Sequence, residues 1–401
     1  MAIKSVENFY SEKAKDMVAS EVKDLLEAAK SEDIISLAGG LPHPRTFPSD
    51  LVKNISCKIL EEKGAETLQY GTTMGFKGLR EEIAKRYRNK FNTDIEPDSI
   101  MITAGSQQGL FLIGRAFLES GDDLVVEAPT YLAALTAFEN FSPNYIEVPL
   151  DEDGMKIDIL KQKLENGINP KFVYTVPTFQ NPAGVTMEEE SRRRLLELSE
   201  KYDFLVIEDG PYNELRYKGE RINPIISYDN EKRTIFLGTF SKILAPGFRL
   251  GWIMGDRRFL EKLEVIKQSL DICSNVFSQH IAYEYMKTGK IDEQIKKIIR
   301  FYEPKQQVLL EALEDYMPDN VDWTTPEGGM FSWVTLPENI DAKAMLNEAL
   351  EEGVAYVSGH AFYATSPVKN SLRLNFTFVE EEEIREGVRK LAKVVENRLA
   401  S

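Results

Sequence analysis

The feature that most constrains this chain is a series of short apolar runs between residues 99 and 255. SIMITAG, DLVVEAP, NYIEVPL, FVYTVPT, FLVIEDG, TIFLGTF and LGWIMG are mostly rich in β-branched or aromatic residues and end at turn formers. Helical patterns such as QQGLFLIGRAFLE and EEESRRRLLELSEKY separate several of them. Alternation of strands with helices predicts an α/β domain on a mostly parallel sheet. The runs lack strict polar alternation, so both faces of the sheet are expected to be buried beneath helices. Seven runs predict seven strands. The last follows the sixth after a short turn region, which makes it the expected antiparallel member.

A length of 401 residues exceeds what one small core needs, and the remainder is expected to form a second, smaller α+β domain from both termini. Residues 11–30 read as an amphipathic helix, with Met17, Val22, Leu25 and Leu26 on one face. SLAGGLPHPRTFP is punctuated by glycine and proline and reads as a loop. Beyond Gly255 a helical stretch runs to about Tyr316, where Pro304 is expected to kink or divide it. GGMFSWVTL, a helix over 341–352, the strand-like SLRLNFTF and a charged helix over 380–399 complete the chain. The expected division is 1–50 as the N-terminal part of the small domain, 51–302 as the large domain, and 303–401 as the C-terminal part of the small domain.

Charge and composition exclude several function classes. With 49 basic against 65 acidic residues the formal net charge is -16, and a field of that sign repels nucleic acid. Cys57 and Cys273 are far apart and form no CxxC pair. His43, His280 and His360 are widely spaced without a metal-ligand pattern, so no metal site is expected. No apolar stretch is long enough to span a bilayer, and the N-terminal residues lack a signal-peptide core. A cytoplasmic location is the expectation.

Chemistry concentrates where apolar runs end. In TFSKILAPGFRLG, Lys242 lies just past a buried strand. Partial burial disfavours its charged form, and a neutral amine forms an imine with an aldehyde. Thr239, Ser241 and Arg249 supply two hydroxyls and a planar fork, a donor set suited to phosphate. A solvated surface lysine is the bland alternative. In VIEDGPY, Asp209 and Tyr212 follow a strand, where the ligand crevice of an open α/β sheet lies. A carboxylate there suits a protonated pyridine nitrogen; a helix N-cap explains it equally well.

VPTFQNPAG places Asn181 before a proline, which extends its backbone; an ordinary Asn-Pro turn is the alternative. In ITAGSQQG a strand leads into a helix whose first amides, at Ser106 and Gln107, suit phosphate, although a simple cap at Ser106 also accounts for it. The string has neither GxGxxG nor GxxxxGK[ST], so no dinucleotide site or P-loop is supported. Tyr131, in APTYLAAL, is placed either to stack on a planar ligand or to pack in the core. Arg373 sits within the apolar run SLRLNFTF and needs a partner, either a substrate carboxylate or a protein carboxylate.

Together the strings AGSQQG, PTY, FQNPAG, EDGPY, FSKILAPGFRLG and RLNF, in that order and spacing, resemble the fold-type-I, class I/II aminotransferases. The likeness runs from SLAGGLPHPRTFP to SLRLNFTF and is closest to the branch holding 2-aminoadipate, kynurenine and archaeal aromatic aminotransferases. The resemblance implies pyridoxal 5'-phosphate as cofactor. It matches Lys242 to the lysine that carries the cofactor as a Schiff base, Asp209 to the partner of the pyridine nitrogen, and Asn181 and Tyr212 to the pair on its phenolic oxygen. Ser106, Gln107, Thr239, Ser241 and Arg249 match the phosphate cup, and Tyr131 the stacking ring. Arg373 matches the anchor of the substrate α-carboxylate, assisted by Asn181, and Gly40 the backbone beside that carboxylate. Tyr70, in LQYGTTMGFKGLR, matches a tyrosine that reaches the phosphate of a neighbouring subunit, which implies a homodimer with shared sites.

Lys23 stands where the family often has an arginine that grips an acidic side chain, so the bidentate fork is absent. The implied reaction is transamination from an L-amino acid, of aromatic, 2-aminoadipate or similar type, to a 2-oxo acid, expected to be 2-oxoglutarate. Lys242 is its expected base and then acid. Two other functions fit the same strings less well: a carbon–sulfur β-lyase, and the sensing domain of an aminotransferase-like regulator. The second expects a DNA-binding domain before SLAGG, where fewer than forty residues stand.

Overall fold

The computed structural model describes residues 6–11, 14–15 and 33–400. Apart from residues 11, 14 and 15, the helix expected over 11–30, and with it Lys23, lies outside the described residues. The first strand, β1 (Ile35–Ser36), pairs in parallel with Val354–Ala355 and so joins the N-terminal segment to the last third of the chain.

The runs between residues 99 and 255 all become strands of one sheet. They are β2 (Ile100–Thr103), β3 (Asp123–Ala128), β4 (Asn144–Asp151), β6 (Phe172–Thr175), β7 (Leu205–Asp209), β8 (Thr234–Thr239) and β9 (Gly251–Met254). The sheet has eight strands, not the expected seven, in the order β2-β9-β8-β7-β6-β3-β4-β5. The extra strand, β5 (Gly154–Met155), is a two-residue hairpin partner of β4. Two residues are too few to show a hydrophobic period, which is why the sequence does not reveal it. As expected, β9 is antiparallel to both its neighbours.

Burial on two faces follows from strand geometry, because successive side chains point to opposite sides. Leu124, Val126, Phe172, Tyr174 and Ile207 join the larger core cluster. Their alternates Val125, Val173 and Val206 join a second cluster with Leu160, Leu195 and Leu198 from helices Ile157–Glu165 and Glu189–Tyr202.

Strand direction decides where the loops meet. β3, β6, β7 and β8 are parallel, so their C-terminal ends share one edge. β2 opposes β9, which opposes β8, so the C-terminal end of β2 and the N-terminal end of β9 reach that same edge. Six chain segments therefore deliver residues to one place.

Beyond Gly255 the stretch forms three helices, Arg257–Leu270, Val276–Lys287 and Ile291–Tyr316. Pro304 does not divide it but lies inside the third. The breaks fall where Ile272 and Gly289 take positive φ angles of 64° and 70°, a conformation that ends helices. Burial of Ile295, Ile298, Tyr302, Leu309 and Leu313 holds the third helix together, offsetting a missing N–H and ring clash that cost roughly 3 kcal/mol.

A four-stranded antiparallel sheet follows, ordered β10 (Asp322–Trp323), β11 (Phe331–Thr335), β14 (Ser371–Asn375) and β13 (Val357–Ser358), while β12 (Val354–Ala355) is the partner of β1. Helices Ala342–Glu352 and Glu381–Leu399 pack against each other. Asp341 caps the first by accepting from the amides of Lys343 and Ala344, and Glu380 with Glu383 forms a capping box on the second. Among the described residues, no helix is long and apolar enough to cross a membrane, and no group of His, Cys, Asp or Glu is arranged to hold a metal ion.

Candidate active site

A cavity of about 390 Å3 opens at the edge where the six segments meet. Twelve of the fourteen expected site residues line it: Gly40, Ser106, Gln107, Tyr131, Asn181, Asp209, Tyr212, Thr239, Ser241, Lys242, Arg249 and Arg373. Tyr70 does not; it is 78% exposed and points to solvent in the single chain. Lys23 lies outside the described residues.

Lys242 follows β8 in the turn that leads toward Arg249. Its Nζ donates to the carbonyl of Gly40 at 2.8 Å and lies 6.0 Å from the centre of the Tyr212 ring. Desolvation, helped by the nearby charges of Arg373 and Arg249, lowers its pKa from 10.5 to about 8. The amine is thus a neutral nucleophile over a far larger share of physiological pH than a surface lysine.

Asp209 closes β7 and does not cap a helix. Its Oδ2 accepts from the Tyr174 hydroxyl at 2.9 Å, while Oδ1 is buried without a partner among the described residues. Burial raises the carboxyl to about 7; the Tyr174 hydrogen bond pulls it down, and the charges of Glu127 and Glu208 push it up. A buried carboxylate with one oxygen accepting no hydrogen bond suits a cationic donor. Burial likewise pushes the phenols of Tyr131, to about 12, and of Tyr212 upward, so both stay protonated hydrogen-bond donors.

Four donor sources converge on another part of the cavity. The helix Ser106–Phe117 starts there with no side chain capping its first amides, leaving them available to an anion. The Thr239 and Ser241 hydroxyls lie 3.0 Å apart. Arg249 makes only long contacts, to Ala104 O at 3.4 Å and Pro246 O at 3.5 Å. Gln107 donates to Ala133 O at 2.9 Å and ties two of the segments together.

The cup needs close backbone approach. A Cβ on Gly251 would lie 2.7 Å from Gly238 O and 2.8 Å from the Ser106 nitrogen. Backbone atoms on two neighbouring segments cannot give way cheaply. Gly251→Ala is expected to cost about 1–3 kcal/mol of stability, read as a lower melting temperature, and to weaken anion binding by displacing the Ser106 amide.

Arg373 is buried on β14. It donates to Asn181 Oδ1 at 2.9 Å and Ala38 O at 2.8 Å, and stacks 4.1 Å over the Phe331 ring. Its Nε has no partner among the described residues. Desolvation lowers its pKa to about 10. Among the described residues no carboxylate pairs with it, which removes the structural ion pair left open by the sequence and leaves room for a carboxylate ligand. Although the chain carries a net charge of -16, among the described residues its cavity holds three cationic side chains and one carboxylate.

Two contributors escape the sequence reading. Phe331 supports Arg373 but lies within GGMFSWVTL, which reads only as a strand. Tyr174 lies within FVYTVPT, again only a strand; its hydroxyl in a run buried on both faces was the available signal, since such a group needs a partner.

Comparison with known proteins gives the family. The pattern described as "Aminotransferase class I and II" matches residues 32–391. The chain belongs to this family. It is a pyridoxal-phosphate-dependent aminotransferase, and its substrates are an amino acid and a 2-oxo acid. It is 54% identical over 98% of its length to the aromatic-amino-acid aminotransferase 1 of Thermococcus litoralis, 95% of which is covered. The kynurenine aminotransferase of Pyrococcus horikoshii, solved with PMP, is 54% identical with a TM-score of 0.97, and 99% of each chain is covered. The alpha-aminoadipate aminotransferase of Thermus thermophilus, solved with N-(5'-phosphopyridoxyl)-L-leucine, is 35% identical with a TM-score of 0.92, again over 99% of each chain.

Proposed function

We propose that this aminotransferase holds pyridoxal 5'-phosphate through Lys242, Asp209 and the cup, and draws its amino group from aromatic and 2-aminoadipate-like donors. One observation carries the assignment of the site: the Lys242 amine and the unpartnered Oδ1 of Asp209 line the same cavity as the five residues suited to phosphate. When bound, the cofactor supplies an aldehyde and a protonated ring that accepts electron density from the amino acid. Lys242 would hold the aldehyde, and Asp209 would keep the ring nitrogen protonated. Asn181 and Tyr212 would bond the phenolic oxygen, and Tyr131 would cover the ring face.

Ser106, Gln107, Thr239, Ser241 and Arg249 would bind the phosphate. Arg373, with Asn181 beside it and the Gly40 backbone nearby, would orient the substrate carboxylate. That placement brings the α-proton within reach of the Lys242 amine, which takes it as base and returns it as acid.

Leu41, Pro42, Leu132 and Phe331 give the cavity an apolar wall, and the relatives' names include aromatic, kynurenine and 2-aminoadipate donors. Among its described residues the only cations are Lys242, Arg249 and Arg373, so a distal carboxylate has no arginine fork and aromatic donors are favoured. The acceptor is 2-oxoglutarate. Tyr70 would serve the site of a second copy: its exposure, shared with Leu68, Leu270 and Ile272, suits a homodimer interface. The enzyme is assigned to the cytoplasm, and its two domains divide near residue 303.

A half-reaction screen tests the donor class. The holoenzyme is mixed with single L-amino acids and followed by the absorbance change from the pyridoxal to the pyridoxamine form. Phenylalanine, tyrosine and tryptophan are expected to react fastest, with 2-aminoadipate converted more slowly. Conversion by small aliphatic amino acids alone would overturn this assignment.

A further inference from the structure

Asp209 does not reach the cavity unsupported. Tyr174, on β6, donates its hydroxyl to Oδ2, and strand register explains why. Tyr174 lies beside Ile207, and Asp209 is two residues beyond Ile207, so both side chains leave the same sheet face. Thr175 lies beside Glu208 and leaves the opposite face. There Glu127 accepts from the Thr175 hydroxyl and from Gln180 Nε2, and Glu208 accepts from the amides of Ile225 and Ile226. The carboxylates Glu127 and Glu208 thus keep to hydrogen bonds of their own, while among the described residues Tyr174 is the one side chain bonded to Asp209.

We infer that Tyr174 is a positioning residue for the cofactor: its hydrogen bond fixes Oδ2 of Asp209 and stabilises the anion, leaving Oδ1 as the oxygen free to pair with a protonated ring nitrogen. The inference rests on the proposed role of Asp209. Without the hydroxyl, the carboxylate becomes the more basic partner, and the shared proton moves from the ring nitrogen to Asp209. Burial and the charge of Asp209 hold the Tyr174 phenol well above its ordinary range, so it remains a donor. The other titratable groups acting around Asp209 are Glu127, Glu208, Tyr131 and Tyr212. A buried tyrosine hydroxyl needs some acceptor in any case, so the test must read the cofactor and not only the fold.

The experiment uses the full-length holoenzyme reconstituted with pyridoxal phosphate labelled with 15N at the ring nitrogen. In Tyr174→Phe the 15N resonance is expected to move toward that of an unprotonated pyridine. The cofactor dissociation constant should rise and kcat fall, each about tenfold, a size set by one hydrogen bond to a charged group, with KM for the amino acid little changed. In an Asp209→Asn background the same change should add nothing. A wild-type resonance and affinity in Tyr174→Phe would overturn the inference, as would an equal loss in the double variant. If Tyr174→Phe does not fold, 3-fluorotyrosine at position 174 keeps the shape and is a stronger donor. It is expected to leave a larger share of the shared proton on the ring nitrogen, moving the 15N resonance further toward that of a pyridinium, and an unchanged or opposite shift would overturn the inference. Wild-type protein that takes up no cofactor would instead sink the proposed site itself.

Discussion

Replacing Lys242 by alanine is expected to lower kcat by at least about 10^4-fold, because in the proposed site one side chain supplies both the covalent hold on the cofactor and the proton transfer, the latter alone worth 10²–10⁴-fold. Among the described residues the cavity has no second amine to substitute: the other cations lining it there are the guanidinium groups of Arg249 and Arg373, which stay protonated. The phosphate donors and Asp209 are untouched, so the variant should still bind pyridoxal phosphate, noncovalently, and borohydride should no longer fix it to the protein. The wild type adds a pH signature. With a pKa of about 8, the free amine is about one-quarter neutral at pH 7.5, against roughly one part in a thousand for an ordinary lysine. Uptake of added cofactor by the apo-protein should therefore slow about tenfold per pH unit below pH 7 and level off above pH 8. Multiple-turnover activity retained in the alanine variant, or borohydride labelling at another residue, would refute the assignment.

How far the sequence foretold this site depends on what each residue does. Lys242, Asp209 and Asn181 stand directly after apolar runs, and in a parallel sheet those ends share an edge; local pattern plus topology therefore places them. Arg373 was legible for another reason: a charge inside an apolar strand announces that it has a partner. Its contacts to Asn181 and Ala38 join segments far apart in the chain, and no local pattern encodes them. Tyr174 and Phe331 act through other residues and look like ordinary strand members, so only three-dimensional register exposes them. Pro304 shows the converse, since its rule was overridden by packing along the helix that contains it. The two-residue strand β5 is beneath the resolution of any periodicity.

Arg373→Leu is the sharpest test of substrate orientation. The guanidinium is buried, has no carboxylate partner among the described residues, and keeps Nε unbonded, so the proposed site gives it a substrate carboxylate as partner. Removing one member of a buried, hydrogen-bonded charge pair costs about 2–5 kcal/mol, which predicts a fall in kcat/KM for amino acids of roughly 30-fold to several thousand-fold. Cofactor retention should persist, because Arg373 is on β14 and the phosphate donors are on other segments. Arg373→Lys keeps the charge but loses the planar fork, so it should recover part of the loss, chiefly in KM. The decisive comparison uses an aromatic amino acid and the amine that lacks its carboxylate. The wild type should strongly prefer the acid, and the leucine variant should lose most of that preference while reacting with the amine about as well as before. If discrimination against the amine survives in Arg373→Leu, the carboxylate is held elsewhere and the orientation proposed here fails.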